Sequence, residues 1–269
     1  MCGHDGHTTC MLGGLSLILK NLEKIPSNRS LRILFQPAEE EYKGTVRGAM
    51  MMINDGCLDS VDEIYGLHNH PSPNKKADIQ IAEKEMMALC NQVYITITGV
   101  SGHGSAPENC NNPIPVAARI YIKIFEALSA FQEKNSMVRF SLTSFNAGHT
   151  FNVIPDSVNI SGSLRSFYLD QNDEMEQIIK KIVEEVSGQY GCGHSLKFKK
   201  GAGAVVNTPR CSEVVSRVAK QIYGEDKVSA DGLPIYGAED FADYLKFVPG
   251  AFFFRTTRNL PEGVNIHHH

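Results

Sequence analysis

Along the first part of the chain, apolar positions recur with two different periods. Leu12, Leu15, Ile18, Leu19 and Leu22 fall on one stripe of a helix predicted over Thr8–Leu22, with a face suited to packing on a sheet. Thr45–Asp55 repeats that spacing through Met50, Met51 and Met52, which read as core filler, and Gly56 supplies a cap. Leu31–Phe35 and Glu63–Leu67 are short apolar runs that read as buried strands. Pro37 ends the first, because it cannot extend a ladder, and the second delivers His68 to a strand end. Ala77–Ala82 is a further strand.

Near residue 88 the organisation changes. Gln92–Thr98 alternates between faces as a strand does, and a helix is predicted over Pro113–Phe131 with Val116, Ile120, Ile124, Leu128 and Phe131 on one side. Strands at Val138–Phe145 and Val158–Phe167, a charged helix over Asp173–Val186 and a strand at Ser195–Lys199 complete a β-α-β-β-α-β order. Gly201-Ala202-Gly203 marks a return to the first domain, which resumes with helices over Ser212–Tyr223 and Ala238–Leu245 and the strand Ala251–Phe254. The expected division is therefore residues 1–87, 88–202 and 203–269, the first and last belonging together in an α/β class.

Composition narrows the class without identifying it. The 269 residues, 42% of them apolar, suffice for one large or two moderate domains. A formal charge of -4 with scattered lysines gives no basic stripe, so nucleic acid is not an expected partner. No apolar run approaches the ~18 residues of a membrane span. Seven cysteines at irregular spacing read as reduced thiols in a cytoplasmic setting.

The candidate chemistry lies in three short stretches: Cys2-Gly3-His4, Gln36-Pro37-Ala38-Glu39-Glu40 and Gly66-Leu67-His68. Thiolate, imidazole and carboxylate are the ligand types that a borderline-soft divalent ion selects. Cys2 and His4 are two apart and flank a glycine, so they can converge on one ion. Glu39 and Glu40 follow a strand end, and adjacent carboxylates repel unless a cation offsets them; a solvated acidic loop continuing into Glu41 is the alternative. His68 and His70 lie two apart, and chemistry alone leaves either as the ligand.

Six motifs in register carry a resemblance: Cys2-Gly3-His4-Asp5-Gly6-His7-Thr8, Gln36-Pro37-Ala38-Glu39-Glu40, Gly66-Leu67-His68, Gly102-His103-Gly104-Ser105-Ala106-Pro107, Phe151-Asn152-Val153-Ile154-Pro155-Asp156 and Gly237-Ala238-Glu239-Asp240-Phe241. In this order they resemble the M20 metallopeptidases, and most closely the amidohydrolases that include hippurate hydrolase, N-acyl-amino-acid amidohydrolases and auxin-conjugate hydrolases. The resemblance implies a phosphorylase/hydrolase-like α/β catalytic domain with an inserted ferredoxin-like α+β lid that forms a homodimer contact. It implies two divalent ions of the zinc, manganese, cobalt or nickel type, held by Cys2, His4, Glu40, His68 and one terminal histidine. The family's spacing favours His268, with His267 and His269 open and a purification-tag remnant as the other reading of the run. Glu39 would be the general base, His103 the donor to the substrate oxygen, and Asn152 and Arg165 the holders of the substrate carboxylate. The family's ligand matches His68, which leaves His70 as a histidine that supports the ligands or, the favoured reading, as a surface histidine.

The implied reaction is hydrolysis of a small N-acyl amino acid. Aminopeptidase-like or dipeptidase-like members are the rival, against which Cys2 argues because they use an aspartate bridge. Members also carry segments before the Cys-Gly-His-Asp motif and after the last histidine, so the chain reads as truncated at both ends. An inactive fragment that binds metal and dimerises is therefore a further expectation to test.

Overall fold

The computed structural model describes residues 3–40, 47–70 and 76–257. Cys2, Thr45 and the three terminal histidines lie outside them. The regular elements are α1 (His4–Leu19), α2 (Gly48–Asn54), β1 (Ile64–His70), β2 (Ile79–Gln80), β3 (Glu85–Met87), β4 (Leu89–Thr98), β5 (Gly102–His103), α3 (Pro113–Gln132) and β6 (Arg139–Ala147). They continue as β7 (Val153–Ile154), β8 (Ser157–Ser166), α4 (Leu169–Gln189), β9 (Gly193–Lys200), β10 (Val205–Val206), α5 (Pro209–Tyr223), β11 (Val228–Ser229), α6 (Phe241–Tyr244) and β12 (Gly250–Thr256). These fall into two compact units, one formed by the described residues of Met1–Met87, Val205–Ile235 and Glu239–His269, the other by Ala88–Ala204 and Tyr236–Ala238.

In the second unit, strands in the order β6-β8-β4-β9 make one antiparallel sheet. Alternation along β4 buries Val93, Ile95 and Ile97 on one face, and α3 and α4 meet that face with Ile120, Ile124, Met175, Ile179 and Val183. The apolar stripe read from the α3 sequence is the stripe that is buried. Its start is set by Asn112, whose side-chain oxygen accepts the Ile114 N–H, and by Pro113 in the first turn, where no N–H is needed.

The first unit is built on a mixed sheet in the order β1-β12-β2-β11. β1 runs parallel to β12 in unbroken register from Ile64↔Gly250 to His70↔Thr256. Phe252 and Phe254 of β12 pack with Phe241, Tyr244 and Met86 to form the core beneath the site. Gly66 is required there, because a Cβ would run into the Phe241 ring.

Several expectations are corrected. Leu31–Phe35 forms no strand among the described residues; Leu31 and Phe35 are exposed. A strand exists only where a neighbouring backbone completes its ladder. Among the described residues the ladder partner of β1 is β12, and β1 and residues 31–35 both line one cavity without pairing. The first helix begins at His4 and not Thr8, and no residue of it is buried. It meets β1 through the glycines and histidines of its first turns, while Leu12, Leu19 and Leu22 of the expected apolar stripe are exposed. β1 continues through His70, so His68 sits inside a strand and not at its end. His70 is half-buried against Phe254, ring centroids 4.6 Å apart, and so is no surface histidine. Of the three methionines assigned to the core, Met51 is exposed, and Gly48 and Ala49 make the buried face of α2.

Candidate active site

His4 is the first residue of α1, preceded by Gly3 in a left-handed conformation that turns the chain into the helix. His7 follows three positions later, which on a helix places both imidazoles on one face. That face meets β1. The His4, His7 and His68 rings lie 4.2 to 5.8 Å apart centre to centre.

The carboxylates arrive from a loop held at both sides. Ala38 adopts φ 54, uncommon for a residue with a Cβ, and a Cβ at Gly48 would overlap the Pro37 carbonyl. The loop is thus pressed against the start of α2. Gln36 Nε2 donates to Asp240 Oδ1 at 2.8 Å, and the Ala49 N–H donates to Asp240 Oδ2 at 3.0 Å, so Asp240 ties loop and helix together. Arg47 donates to the fully buried Asp243 at 2.6 and 2.9 Å, and Lys246 donates to its other oxygen at 2.6 Å. This geometry brings Glu39 Oε2 to 3.8 Å and Glu40 Oε1 to 3.5 Å from His4 Nε2.

The electrostatics follow from burial and like charge. Burial, then Asp240 and Glu40, push the Glu39 carboxyl up to about 7. Glu239 is buried beside it and is raised well above the usual carboxylate range by burial first, then by Glu39 and Asp240. Burial, then His68 and His4, bring His7 down to about 4, and burial is also the main reason His68 is lowered.

The donor set fits divalent ions. One ligand atom from each of His4, His7 and His68 lie mutually within 4.8 Å, as do atoms from His4, Glu39 and Glu40, and His4 belongs to both groups. The cluster opens on a cavity of about 1000 Å³ whose apolar wall includes Ile33, Phe35, Ile64 and Phe252.

Of the residues singled out in the sequence, the fold gathers His4, Glu39, Glu40 and His68 from three separate segments. Cys2 and His268 lie outside the described residues. His103 and Asn152 meet in the second unit, where β5 pairs with β7 and the Gly104 N–H donates to the Asn152 carbonyl at 2.8 Å. His103 is exposed, and its Nδ1 accepts from the Ser105 N–H at 3.2 Å, leaving Nε2–H as the outward donor. Arg165 is not with them. It lies near the far end of β8, roughly 27 Å of strand beyond Ser157, and donates to the Tyr236 carbonyl at 2.6 Å.

His7, Glu239 and Asp240 were not among the expected site residues. His7 was legible only once the helix start was moved to His4, since the three-residue spacing has no meaning in a loop. Glu239 and Asp240 stood in a quoted motif, but their approach to Glu39 depends on α6 and the 36–40 loop meeting in space.

Comparison with known proteins identifies the family. The sequence pattern of peptidase family M20/M25/M40 matches residues 1–269. Hippurate hydrolase of Campylobacter jejuni is 31% identical over 96% of this chain and 66% of its own length. Thermostable carboxypeptidase 2 of Saccharolobus solfataricus is 31% identical over 97% of this chain and 65% of its own. The crystal structure of a Bacillus subtilis protein described as a dinuclear metal binding peptidase from the M20 family superposes with a TM-score of 0.76 at 27% identity, covering 99% of this chain and 65% of that one. The chain thus spans slightly less than two thirds of each of these proteins.

Proposed function

We propose an activity for this chain, which belongs to peptidase family M20/M25/M40: metal-dependent hydrolysis of the amide bond of N-acyl amino acids. What supports this reading most directly is the meeting of His4, Glu39, Glu40 and His68 from three segments, with His4, Glu39 and His68 lining one cavity. Two divalent ions held by Cys2, His4, Glu40, His68 and His268 would lower the pKa of water and polarise the amide carbonyl. A zinc- or cobalt-type ion suits the thiolate, with manganese and nickel as the other candidates.

Glu39 is the general base. It takes a proton from the attacking water and returns it to the departing amine nitrogen. Water adds to the carbonyl carbon, the C–N bond breaks, and the products are a carboxylic acid and a free amino acid. Burial, with the charges of Asp240 and Glu40, keeps Glu39 basic. His103, through Nε2–H, donates to the oxygen that gains charge, a contact worth about 3 kcal/mol in the transition state. Asn152 and Arg165 hold the substrate carboxylate, Arg165 with the donors not spent on Tyr236. By the family resemblance, His103 serves the site of a neighbouring copy. The unit of residues 88–204 is then a ferredoxin-like lid and the homodimer contact, inserted in a phosphorylase/hydrolase-like catalytic domain.

The likeness to a carboxypeptidase favours one second reading, hydrolysis of a peptide's C-terminal residue by the same groups. The test is release of amino acid from N-acyl amino acids and from N-blocked dipeptides, after chelation and reloading with Zn, Mn or Co singly. Glu39→Gln is expected to lower turnover about 10²- to 10⁴-fold while metal stays bound. Undiminished turnover in that variant removes Glu39 as the base. Metal bound without turnover on either substrate class leaves a binding fragment.

A further inference from the structure

Asn69 sits in β1 between His68 and His70, and both of its backbone polar groups are engaged by imidazoles. Its N–H donates to His7 Nε2 at 2.9 Å. Its carbonyl lies 2.6 Å from His68 Nδ1. A carbonyl can only accept, so His68 carries its hydrogen on Nδ1 and keeps a bare lone pair on Nε2. An N–H can only donate, so the Nε2 lone pair of His7 is already spent, and neutral His7 holds its proton on Nδ1. Although the His7 ring lies within reach of a shared ion, neither nitrogen is left to ligate without breaking the bond to Asn69.

We propose that His7 is a positioning residue: through the two backbone groups of Asn69 it fixes the tautomer and orientation of His68, so that His68 Nε2 is the lone pair offered to a divalent ion. Two further contacts hold the same strand residue against the first turn of α1. Asn69 Nδ2 lies 3.4 Å from the Gly3 carbonyl, and a Cβ at Gly6 would run into that same amide nitrogen. Ligating histidines elsewhere commonly have their second nitrogen fixed by a carbonyl, and loss of such support costs about 10- to 100-fold in metal affinity. In this chain the support is itself supported, by a second histidine.

The inference rests on reading His68 as a ligand, and its test separates the two. Imidazole ¹⁵N resonances of the metal-free protein should show His68 protonated on Nδ1 and bare on Nε2; the opposite tautomer overturns the proposal whatever the metal does. Zn²⁺ affinity, measured by competition with a chelating dye, should fall about 10- to 100-fold in His7→Ala yet stay within about threefold in His7→Gln. The glutamine amide oxygen reaches about as far as Nε2 and accepts the Asn69 N–H, but it is a poor substitute for an imidazole ligand. A His7→Gln protein as weak as His7→Ala would mean that His7 is itself a ligand, and unchanged affinity in His7→Ala would mean that it does nothing. If His7→Ala does not fold, the glutamine variant and the wild-type resonances still decide. If the wild type binds no Zn²⁺, the hydrolase reading falls while the tautomer of His68 remains testable.

Discussion

Glu39 and His7 depart from their ordinary proton affinities in opposite senses, which gives the metal-free site a concealed pH dependence. Folded Glu39 binds its proton up to about pH 7 against 4.5 in the open chain, so the folded state holds more protons and stability falls as pH rises through that window. Folded His7 stays neutral down to about pH 4 against 6.5, so the unfolded state holds more and stability rises with pH over nearly the same range. In the wild type these slopes offset. Denaturant titrations from pH 4.5 to 6.5 should show Glu39→Gln gaining stability on the wild type as pH rises, by at most about 3 kcal/mol. His7→Gln should lose stability on the wild type over the same interval. Parallel curves for all three proteins would mean that the two groups are not perturbed in the folded chain.

Two glycines on helices of the first unit predict opposite outcomes at the scale of the element. Gly48 opens α2 against the Pro37 carbonyl, a backbone atom that cannot rotate aside. Gly48→Ala should therefore cost about 1 to 3 kcal/mol and displace the 36–40 loop, seen as a lower denaturation midpoint together with weaker metal binding. Gly13 in α1 has open space where a Cβ would stand. Gly13→Ala should raise helix content and stabilise by about 0.5 to 1 kcal/mol, since glycine is the poorer helix former. A destabilised Gly13→Ala protein would mean that the exposed side of α1 is covered in solution.

Each of the two units has its own hydrophobic core, Ile95, Ile120, Ile124 and Ile179 in one, Met86, Phe241, Phe252 and Phe254 in the other. The candidate ligands among the described residues belong to the second of these cores' units alone. A divalent ion should therefore raise the unfolding transition of that unit, by about 2.7 kcal/mol at a hundred times its dissociation constant, and leave the other unmoved. Ile124→Ala should do the reverse, lowering only the transition of the β4–β9 unit by about 2 to 5 kcal/mol. Calorimetry with and without ion reads both; one transition that moves as a whole in either experiment would show that the units unfold together.

Local pattern alone carried the elements that bury a single face. The stripe Val116, Ile120, Ile124, Leu128 and Phe131, the alternation along β4 and the β-α-β-β-α-β order could be read directly, because an element with one buried face repeats its apolar positions with its own helical or strand period, whatever covers that face. The motifs likewise named His4, Glu39, Glu40 and His68 by residue type. Whether Leu31–Phe35 pairs was another matter, for a strand needs a second backbone and its own residues do not supply one. Tertiary structure also decided that helix α1 starts at His4, that His7 therefore faces β1, and that Glu239 and Asp240 crowd Glu39. Proton affinity and tautomer depend on what surrounds a group in space, and residues two hundred positions apart in the chain become neighbours only when it folds.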